Sequence, residues 1–284
     1  MVIGMSSAKQ ELEIIAIEMF EKQQNNIKKT INKLVLGLKS EDPIKKYNAT
    51  RSITKSIQSV DLDDIELNPV FNREMIANMF FEARNFDSHI SYFDTLDEID
   101  KILHPRYRDM FIEIAFEPII QALNDKTLKI QMLWCLKYLD DPRAVGPLIS
   151  LLKESTGEEK LLLDLFIRFK DESIAPILNL QDSDNKFVRR FVARYIGEIR
   201  NEDSLDVLIK FLDDKDWNVR FKSIVALGQI GGEQSMDVLM RSTEDKSKNV
   251  RRKATEVIGI LASGERILTF EEFLQNQNEQ SINY

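Results

Sequence analysis

The sequence predicts an all-α protein built of stacked antiparallel helix pairs, an α-solenoid. Three stretches superpose without gaps at a spacing of 31 residues: NKFVRRFVARYIGEI (185–199), DWNVRFKSIVALGQI (216–230) and SKNVRRKATEVIGIL (247–261). Each carries apolar residues at helical spacing, and so do the segments between them. A two-helix unit of this length cannot bury its apolar face alone, so neighbouring units must stack.

Four kinds of residue recur at fixed places in this unit and mark the start and the packing of its second helix. They are the N-cap types Asn185, Asp216 and Ser247, the valines Val188, Val219 and Val250, the arginines Arg189, Arg220 and Arg251, and the glycines Gly197, Gly228 and Gly259. N-cap side chains of these types stabilise a helix start by about 1 kcal/mol over alanine. The matching glycines predict a close approach of helices in every unit.

Extending the pattern towards the N-terminus predicts five helix pairs between residues 108 and 262. The first helices are predicted at 111–123, 142–153, 172–181, 202–212 and 233–243, and the second helices at 128–139, 158–169, 185–199, 216–230 and 247–261. Pro118, Pro147 and Pro176 recur 29 residues apart in the first helices. Because proline bends or breaks a helix, this recurrence predicts a bend as part of the unit.

The regions flanking the array are predicted to be helical as well. Residues 1–107 form a divergent region expected to pack on the solenoid, with helices at 7–37, 42–57 and 68–85 and a loop at SVDLDDIELNP. Residues 263–284 are predicted to form a capping helix and tail, in which RILTFEEFLQNQ covers the last pair.

The proline-bearing first helix, the acidic turn and the V-R start of a glycine-closed second helix together resemble HEAT repeats, particularly the short phycobilisome-lyase type. The resemblance covers roughly 108–262 and implies a right-handed superhelix. It also implies a ladder of ion pairs between turn acids and helix arginines of neighbouring units, although Glu159 stands where the arginine belongs in one unit. The ladder residues are Asp182, Asp213, Asp214, Glu244 and Asp245 with Arg189, Arg220 and Arg251.

Composition and motifs argue against several classes of function. A net charge of -8 and a pI near 5.1 disfavour general binding to nucleic acid or anionic membranes. Cys135 is the single cysteine and lies among apolar residues, so we expect a buried structural thiol. His89 and His104 are the two histidines, which is too few for the repeated His-Glu ligands of HEAT-type di-iron hydroxylases. The expectation is a cytoplasmic, non-enzymatic protein with no catalytic residue, no metal, no cofactor and no membrane segment.

One constellation favours binding. If Val219, Ser223 and Leu227 face the neighbouring helices, the residues between them point away, and stacking aligns them into a stripe. The candidate partner-binding residues are Arg190, Phe191, Arg194, Phe221, Lys222, Arg252 and Lys253, which by resemblance line a concave surface. The alternative interpretation is that these are ordinary solvated side chains beside the ladder. Trp217 has two interpretations as well, an interface anchor or a side chain packed on the adjacent turn.

Three functions remain open. The favoured hypothesis is a scaffold or adaptor that binds an acidic or phosphorylated segment of a partner protein. The repeat subtype also suggests a chromophore-lyase-like subunit or chaperone factor. The basic face suggests, thirdly, a helical-repeat DNA-binding protein resembling alkylpurine glycosylases, against which the net negative charge stands.

Overall fold

The computed structural model describes residues 2–57, 92–154, 159–269 and 272. Within these ranges the chain forms twelve α-helices and two short 3-10 turns, with no strand. The predicted all-α solenoid is confirmed. The chain divides into two compact units, Met1–Asp141 and Pro142–Tyr284, and the boundary falls after the first of the five predicted pairs.

The first unit contains four described helices. They are α1 (Val2–Leu38), α2 (Pro43–Ile57), α3 (Tyr92–Ala122) and α4 (Lys129–Leu139). The helices predicted at 7–37 and 42–57 are confirmed, whereas the helix predicted at 68–85 and the loop before it lie outside the described residues. Helix α1 packs against α2 and α3, and α2 packs on α4.

Cys135 lies on α4 at the contact with α2. Its side chain is fully buried, and its sulfur lies 3.4 Å from the hydroxyl of Thr54. Burial raises the pKa of this thiol to about 11, so it stays protonated and unreactive at neutral pH. The prediction of a buried structural cysteine is confirmed.

The second unit continues the helix pairs. Its helices are α5 (Val145–Glu154), α6 (Glu159–Arg168), α7 (Lys170–Leu178), α8 (Lys186–Glu198), α9 (Leu205–Phe211), α10 (Trp217–Ile230), α11 (Glu233–Ser242) and α12 (Lys248–Ala262). Short 3-10 turns at Pro142–Ala144 and Glu202–Ser204 precede α5 and α9. The second helices α8, α10 and α12 pack against one another in series, and each begins within one residue of its predicted start.

Two of the three predicted N-caps make the expected hydrogen bond. The Asn185 side chain accepts from the Phe187 amide at 3.0 Å, and the Asp216 side chain accepts from the Asn218 amide at 3.0 Å. Ser247 occupies the third N-cap position, but its hydroxyl makes no capping bond. The predicted helix starts therefore hold even where the side chain contributes nothing.

The repeat prolines do not all occupy a helix interior. Pro118 and Pro176 lie inside α3 and α7, as predicted. Pro147 lies in the first turn of α5, where the amide that proline lacks has no intrahelical partner in any case. A shared bend is therefore not required at that position.

The repeat glycines behave differently from one unit to the next. A Cβ atom on Gly197 would lie 2.7 Å from the Cα of Ala226, and one on Gly228 would lie 2.6 Å from the side chain of Val257. At Gly259, a Cβ would meet no described atom within 4 Å. The predicted close approach is therefore correct for two units and wrong for the last, where no helix among the described residues packs on Gly259.

The chain reverses direction after α12. Gly264 adopts a φ of 81°, a left-handed conformation that glycine accepts without strain. The Ile267 amide then donates to the carbonyl of Gly228 at 3.0 Å, and Glu272 forms an ion pair with Arg200 at the end of α8. We call residues 264–269 and Glu272 the C-terminal strap. The described strap residues lie against α10 and the end of α8. Most of the capping helix predicted at RILTFEEFLQNQ lies outside the described residues, so it stays a prediction.

Candidate protein-binding face

Two buried ion pairs join successive repeats in the second unit. The Arg189 guanidinium makes a bidentate contact with Asp214, through Nε at 2.6 Å and Nη2 at 2.9 Å. Arg220 repeats the contact with Asp245 at 2.7 and 2.9 Å. Each arginine also donates Nη1 to a carbonyl of the turn before its own helix, Ser183 for Arg189 at 2.7 Å. Arg189 and Arg220 thus each bind the turn of the following repeat.

These contacts set the ionisation of both partners. Burial alone would raise the pKa of Asp214 and of Asp245. The hydrogen bonds from the arginines, the backbone amide bonds from Asp216 and Ser247 and the nearby positive charges together outweigh burial and hold both pKa values below the ordinary range. The same hydrogen bonds raise the pKa of Arg189 and Arg220. All four groups are therefore charged at neutral pH.

The remaining ladder candidates are placed differently. Arg251 donates Nη1 to the main-chain carbonyl of Asp245 in its own repeat. Asp182 pairs with Lys210 at 2.6 Å on an exposed surface, and the side chains of Asp213 and Glu244 are exposed. In both turns it is therefore the second of the two neighbouring acids, Asp214 or Asp245, that contacts the arginine of the preceding repeat.

A separate group of cations lies on the second helices. We call Arg190, Arg194, Phe221, Lys222, Arg252 and Lys253 the second-helix face. Phe191, the seventh candidate, is 1 % exposed and packs edge-on against Phe166 at 5.7 Å between ring centroids. Its assignment to a binding surface is wrong, because this position points towards the preceding second helix, α6, and α8 is buried on nearly all sides.

Lys222 occupies the same repeat position as Phe191, 31 residues later, which explains its half-buried side chain. Burial lowers the pKa of Lys222, and the neighbouring positive charges of Arg194 and Arg190 lower it further. Glu159 and Glu198 act in the opposite direction but do not restore the ordinary value. Lys222 thus lies near Arg190 and Arg194 between α8 and α10, and the two glutamates offset only part of the effect of burial and of the arginines on its pKa.

Acids neutralise part of this face. Arg190 binds Glu159 at 2.5 Å, and Lys253 binds Glu256 one helical turn away at 2.6 Å. Two cations of the second-helix face, Arg190 and Lys253, are therefore paired with acids of the same chain. Arg194 and Lys222 lie deepest in the positive cluster, and Arg252 is exposed at its edge.

Exposed aromatic rings lie among the cations. Arg190 stands 5.0 Å above the ring of Phe187, and Lys253 stands 5.7 Å from the ring of Phe221. Trp217 is 40 % exposed and meets Phe221 edge-on at 6.4 Å. Phe187 was missed at the sequence level, although an aromatic residue in the first turn of a helix, next to a lysine, was a usable signal.

In the described residues, no group of three His, Cys, Asp or Glu side chains is arranged to hold a metal ion. His89 lies outside the described residues, and the side chain of His104 does too. No helix in the described part of the chain is long and apolar enough to cross a membrane. What the face offers is positive charge, cation-π pairs and hydrogen-bond donors.

The family of the repeats follows from residues 174–259, which match the family model described as HEAT repeats. Residues 174–259 are therefore HEAT repeats. The matched segment spans α8 and α10 and nearly all of α12, and it includes both bidentate ion pairs. No curated protein matches the HEAT-repeat chain.

Designed and engineered proteins are among the solved structures that match this chain. A designed armadillo repeat protein in complex with the peptide (KR)4 is 14% identical, with a TM-score of 0.39 over 81% of this chain and 99% of that chain. A crystal structure of an engineered protein is 17% identical, with a TM-score of 0.32 over 84% of this chain and 98% of that chain. Likeness at this level carries no inference about the HEAT-repeat protein.

Proposed function

We propose that this HEAT-repeat protein is a non-enzymatic scaffold or adaptor whose second-helix face binds an acidic or phosphorylated segment of a partner protein. The observation that carries the proposal is the cluster of Arg190, Arg194 and Lys222 between α8 and α10. A protein that is acidic overall places three cations together there, with Lys222 half-buried among like charges.

Such a cluster is unfavourable in the unbound chain, and an incoming anion relieves it. A half-buried lysine whose pKa is lowered by burial and by neighbouring arginines gains from any negative charge placed beside it. Arg194 can form bidentate hydrogen bonds with a carboxylate or a phosphate. The exposed rings of Phe187 and Trp217 and the partly buried ring of Phe221 offer apolar contact next to these charges, as interface anchors do.

A segment of a protein fits this face better than nucleic acid. The net charge of -8 repels a polyanion over most of the surface, so binding must be local and short. Glu159, Glu198 and Glu256 interrupt the cations, which disfavours a continuous phosphate track. A short acidic segment of a protein needs to contact only the cations that lie between these glutamates.

Binding of labelled peptides tests the proposal. The probes are a fluorescein-labelled hexaglutamate and a peptide of the same length with two phosphoserines, measured by fluorescence anisotropy. The variant Arg194→Glu/Lys222→Glu/Arg252→Glu should weaken binding about tenfold or more, because it reverses three charges that face the ligand. The control Arg241→Glu, an exposed cation on the first helix α11, should change affinity less than about twofold.

Unaltered peptide affinity in the triple variant, with circular dichroism and unfolding midpoint unchanged, refutes the proposal. Raising the salt concentration should weaken the wild-type complex, since exposed charges carry the affinity. Tight binding to duplex DNA at physiological salt that the triple variant loses would instead favour the nucleic-acid alternative.

A further inference from the structure

The C-terminal strap is seated on α10 in a slot made for it. Ile267 lies over Gly228, where a Cβ atom would come within 2.8 Å of the Ile267 Cδ1 atom. The Ile267 amide donates to the Gly228 carbonyl at 3.0 Å. A side chain at position 228 would therefore exclude the strap, so this glycine serves a contact with an extended segment as well as the contact with Val257.

Polar groups hold the strap on either side of this slot. The buried Gln229 donates its amide Nε2 to the main-chain carbonyl of Leu268 at 3.4 Å. Arg200, at the end of α8, pairs with the carboxylate of Glu272. Glu272 also accepts from the Thr269 amide at 2.9 Å, and its own amide donates to the Thr269 hydroxyl at 3.3 Å. The slot thus contacts one apolar side chain, main-chain atoms and one acid.

Much of the strap is exposed. Thr269 is buried and Ile267 is partly buried, but Glu265 and Arg266 are exposed, and Leu268 is 43 % exposed. A cavity of about 650 Å³ opens beside the reversal at Gly264, between the start of α11 and the end of α12. Segments with few buried apolar contacts open locally at a small fraction of the global unfolding free energy. The strap can therefore leave α10 while the repeats stay folded.

Gln229, which lines the slot beside Gly228, lies on the side of α10 that carries Lys222. Lys222 and Gln229 are seven residues apart, which is two helical turns, so their side chains share one side of the helix about 10 Å apart. Glu198 lies near both, since it accepts from Gln229 at 3.5 Å and acts on Lys222. An extended segment crossing α8 and α10 passes close to both places.

We propose that Gly228, Gln229 and Arg200 form a docking site for an extended segment of a partner protein, which the C-terminal strap occupies until that segment displaces it. The segment carries a branched apolar residue over Gly228 and a carboxylate five residues later on Arg200, as Ile267 and Glu272 do in the chain itself. This goes beyond the proposed function, because the contacting residues differ from the second-helix face.

The test opens the slot in the full chain and supplies the segment from outside. The probe is a fluorescein-labelled peptide GERILTFEEF, the sequence of residues 264–273. A tethered segment acts at millimolar effective concentration, so wild type should bind the peptide weakly. The variant Ile267→Ser/Glu272→Gln weakens the internal competitor and should bind about tenfold or more tightly.

Matched variants keep the result specific. Adding Arg200→Gln to the opened variant should remove the gain, and so should a probe peptide with glutamine in place of its third glutamate, the counterpart of Glu272. The proposal is overturned if the opened variant binds no better than wild type, or if the gain survives Arg200→Gln. Hexaglutamate binding by the Arg194→Glu/Lys222→Glu/Arg252→Glu variant reports on the proposed function alone, so the two proposals fail separately.

Amide hydrogen exchange gives a second measurement on the unmodified chain. The Ile267 amide should exchange about 100-fold or more faster than that of Ile224 in the interior of α10, because the strap opens without the repeats. Equal protection at the two amides would mean that the strap leaves only on global unfolding, which contradicts displacement.

Discussion

Replacing Arg220 by methionine should be among the most damaging single changes in the second unit. The Arg220 side chain is 3 % exposed and that of Asp245 is 11 % exposed. The substitution removes two charge-assisted hydrogen bonds to Asp245 and the bond from Nη1 to the Asp214 carbonyl at 2.8 Å. It leaves a carboxylate in a nearly dry site, for which the expected loss is about 3–5 kcal/mol of unfolding free energy.

Guanidinium unfolding followed by circular dichroism measures this loss, and the chain supplies its own control. Lys222→Met removes a cation two residues away on the same helix, but one whose pKa burial already lowers. That change should cost no more than about 0.5 kcal/mol. If Arg220→Met costs no more than Lys222→Met, the ladder does not stabilise the repeats.

A second substitution separates the stranded charge from the lost packing. In Arg220→Met/Asp245→Asn the acid becomes neutral while its oxygen can still accept from the Ser247 amide, a bond of 2.6 Å in the structure. The double variant should recover about 1 kcal/mol or more relative to Arg220→Met. No recovery would mean that the cost came from lost contacts of the arginine stem.

Three further outcomes are expected. The pKa values of Asp214 and Asp245 are lowered in the folded chain, so both groups stabilise it fully above their unfolded pKa near 3.8. This contribution is lost as the pH falls through the folded pKa values, so the unfolding free energy should decline below about pH 4. An unfolding free energy that stays constant from pH 5 to pH 2 would contradict this. Gly197→Ala should lower the melting temperature, because the new Cβ would lie 2.7 Å from the backbone of Ala226. Gly259→Ala, where a Cβ meets no described atom within 4 Å, should raise the unfolding free energy by about 0.5–1 kcal/mol. Equal effects of the two substitutions would refute the assignment of close packing to Gly197 alone of this pair. The Cys135 thiol should react with a disulfide reagent only after unfolding, so fast labelling of the native protein would show that α2 does not cover it.

Much of the fold could be predicted because the repeat imposes the same physical demands several times. The recurrence of valine, arginine and glycine set the register of α8, α10 and α12, and each helix was found where its N-cap type stood. The choice of Asp214 over Asp213 could not be read from the sequence, because both are acids in the same turn. Only the geometry of the bidentate contact from Arg189 distinguishes them.

The candidate site was predicted less well than the fold, for a definable reason. Helical spacing indicated which side of α8 packs on the other helix of its own repeat, but it did not indicate which residues contact the second helix of the preceding repeat. Phe191 and Lys222 are at equivalent positions, and both turn towards the preceding second helix. The phenylalanine fills the core there, while the lysine remains half-buried among arginines. The strap was also unforeseen, since Gly228 looked like a helix-packing residue and not like part of a slot.

The bond between Arg220 and Asp245 has a direction, since Arg220, like Arg189, reaches forward along the chain to the turn of the following repeat. Such a bond contributes to the interface between two repeats and not to either repeat alone, which is the coupling that makes a linear array unfold as one block. It also gives the array polarity. Arg251, the last in the series, ends on a carbonyl of its own repeat. If a further repeat were added after α12 with an aspartate 25 residues beyond Arg251, that aspartate could pair with the Arg251 guanidinium as Asp214 and Asp245 pair with Arg189 and Arg220. The array is therefore better suited to the addition of a repeat at its C-terminal end.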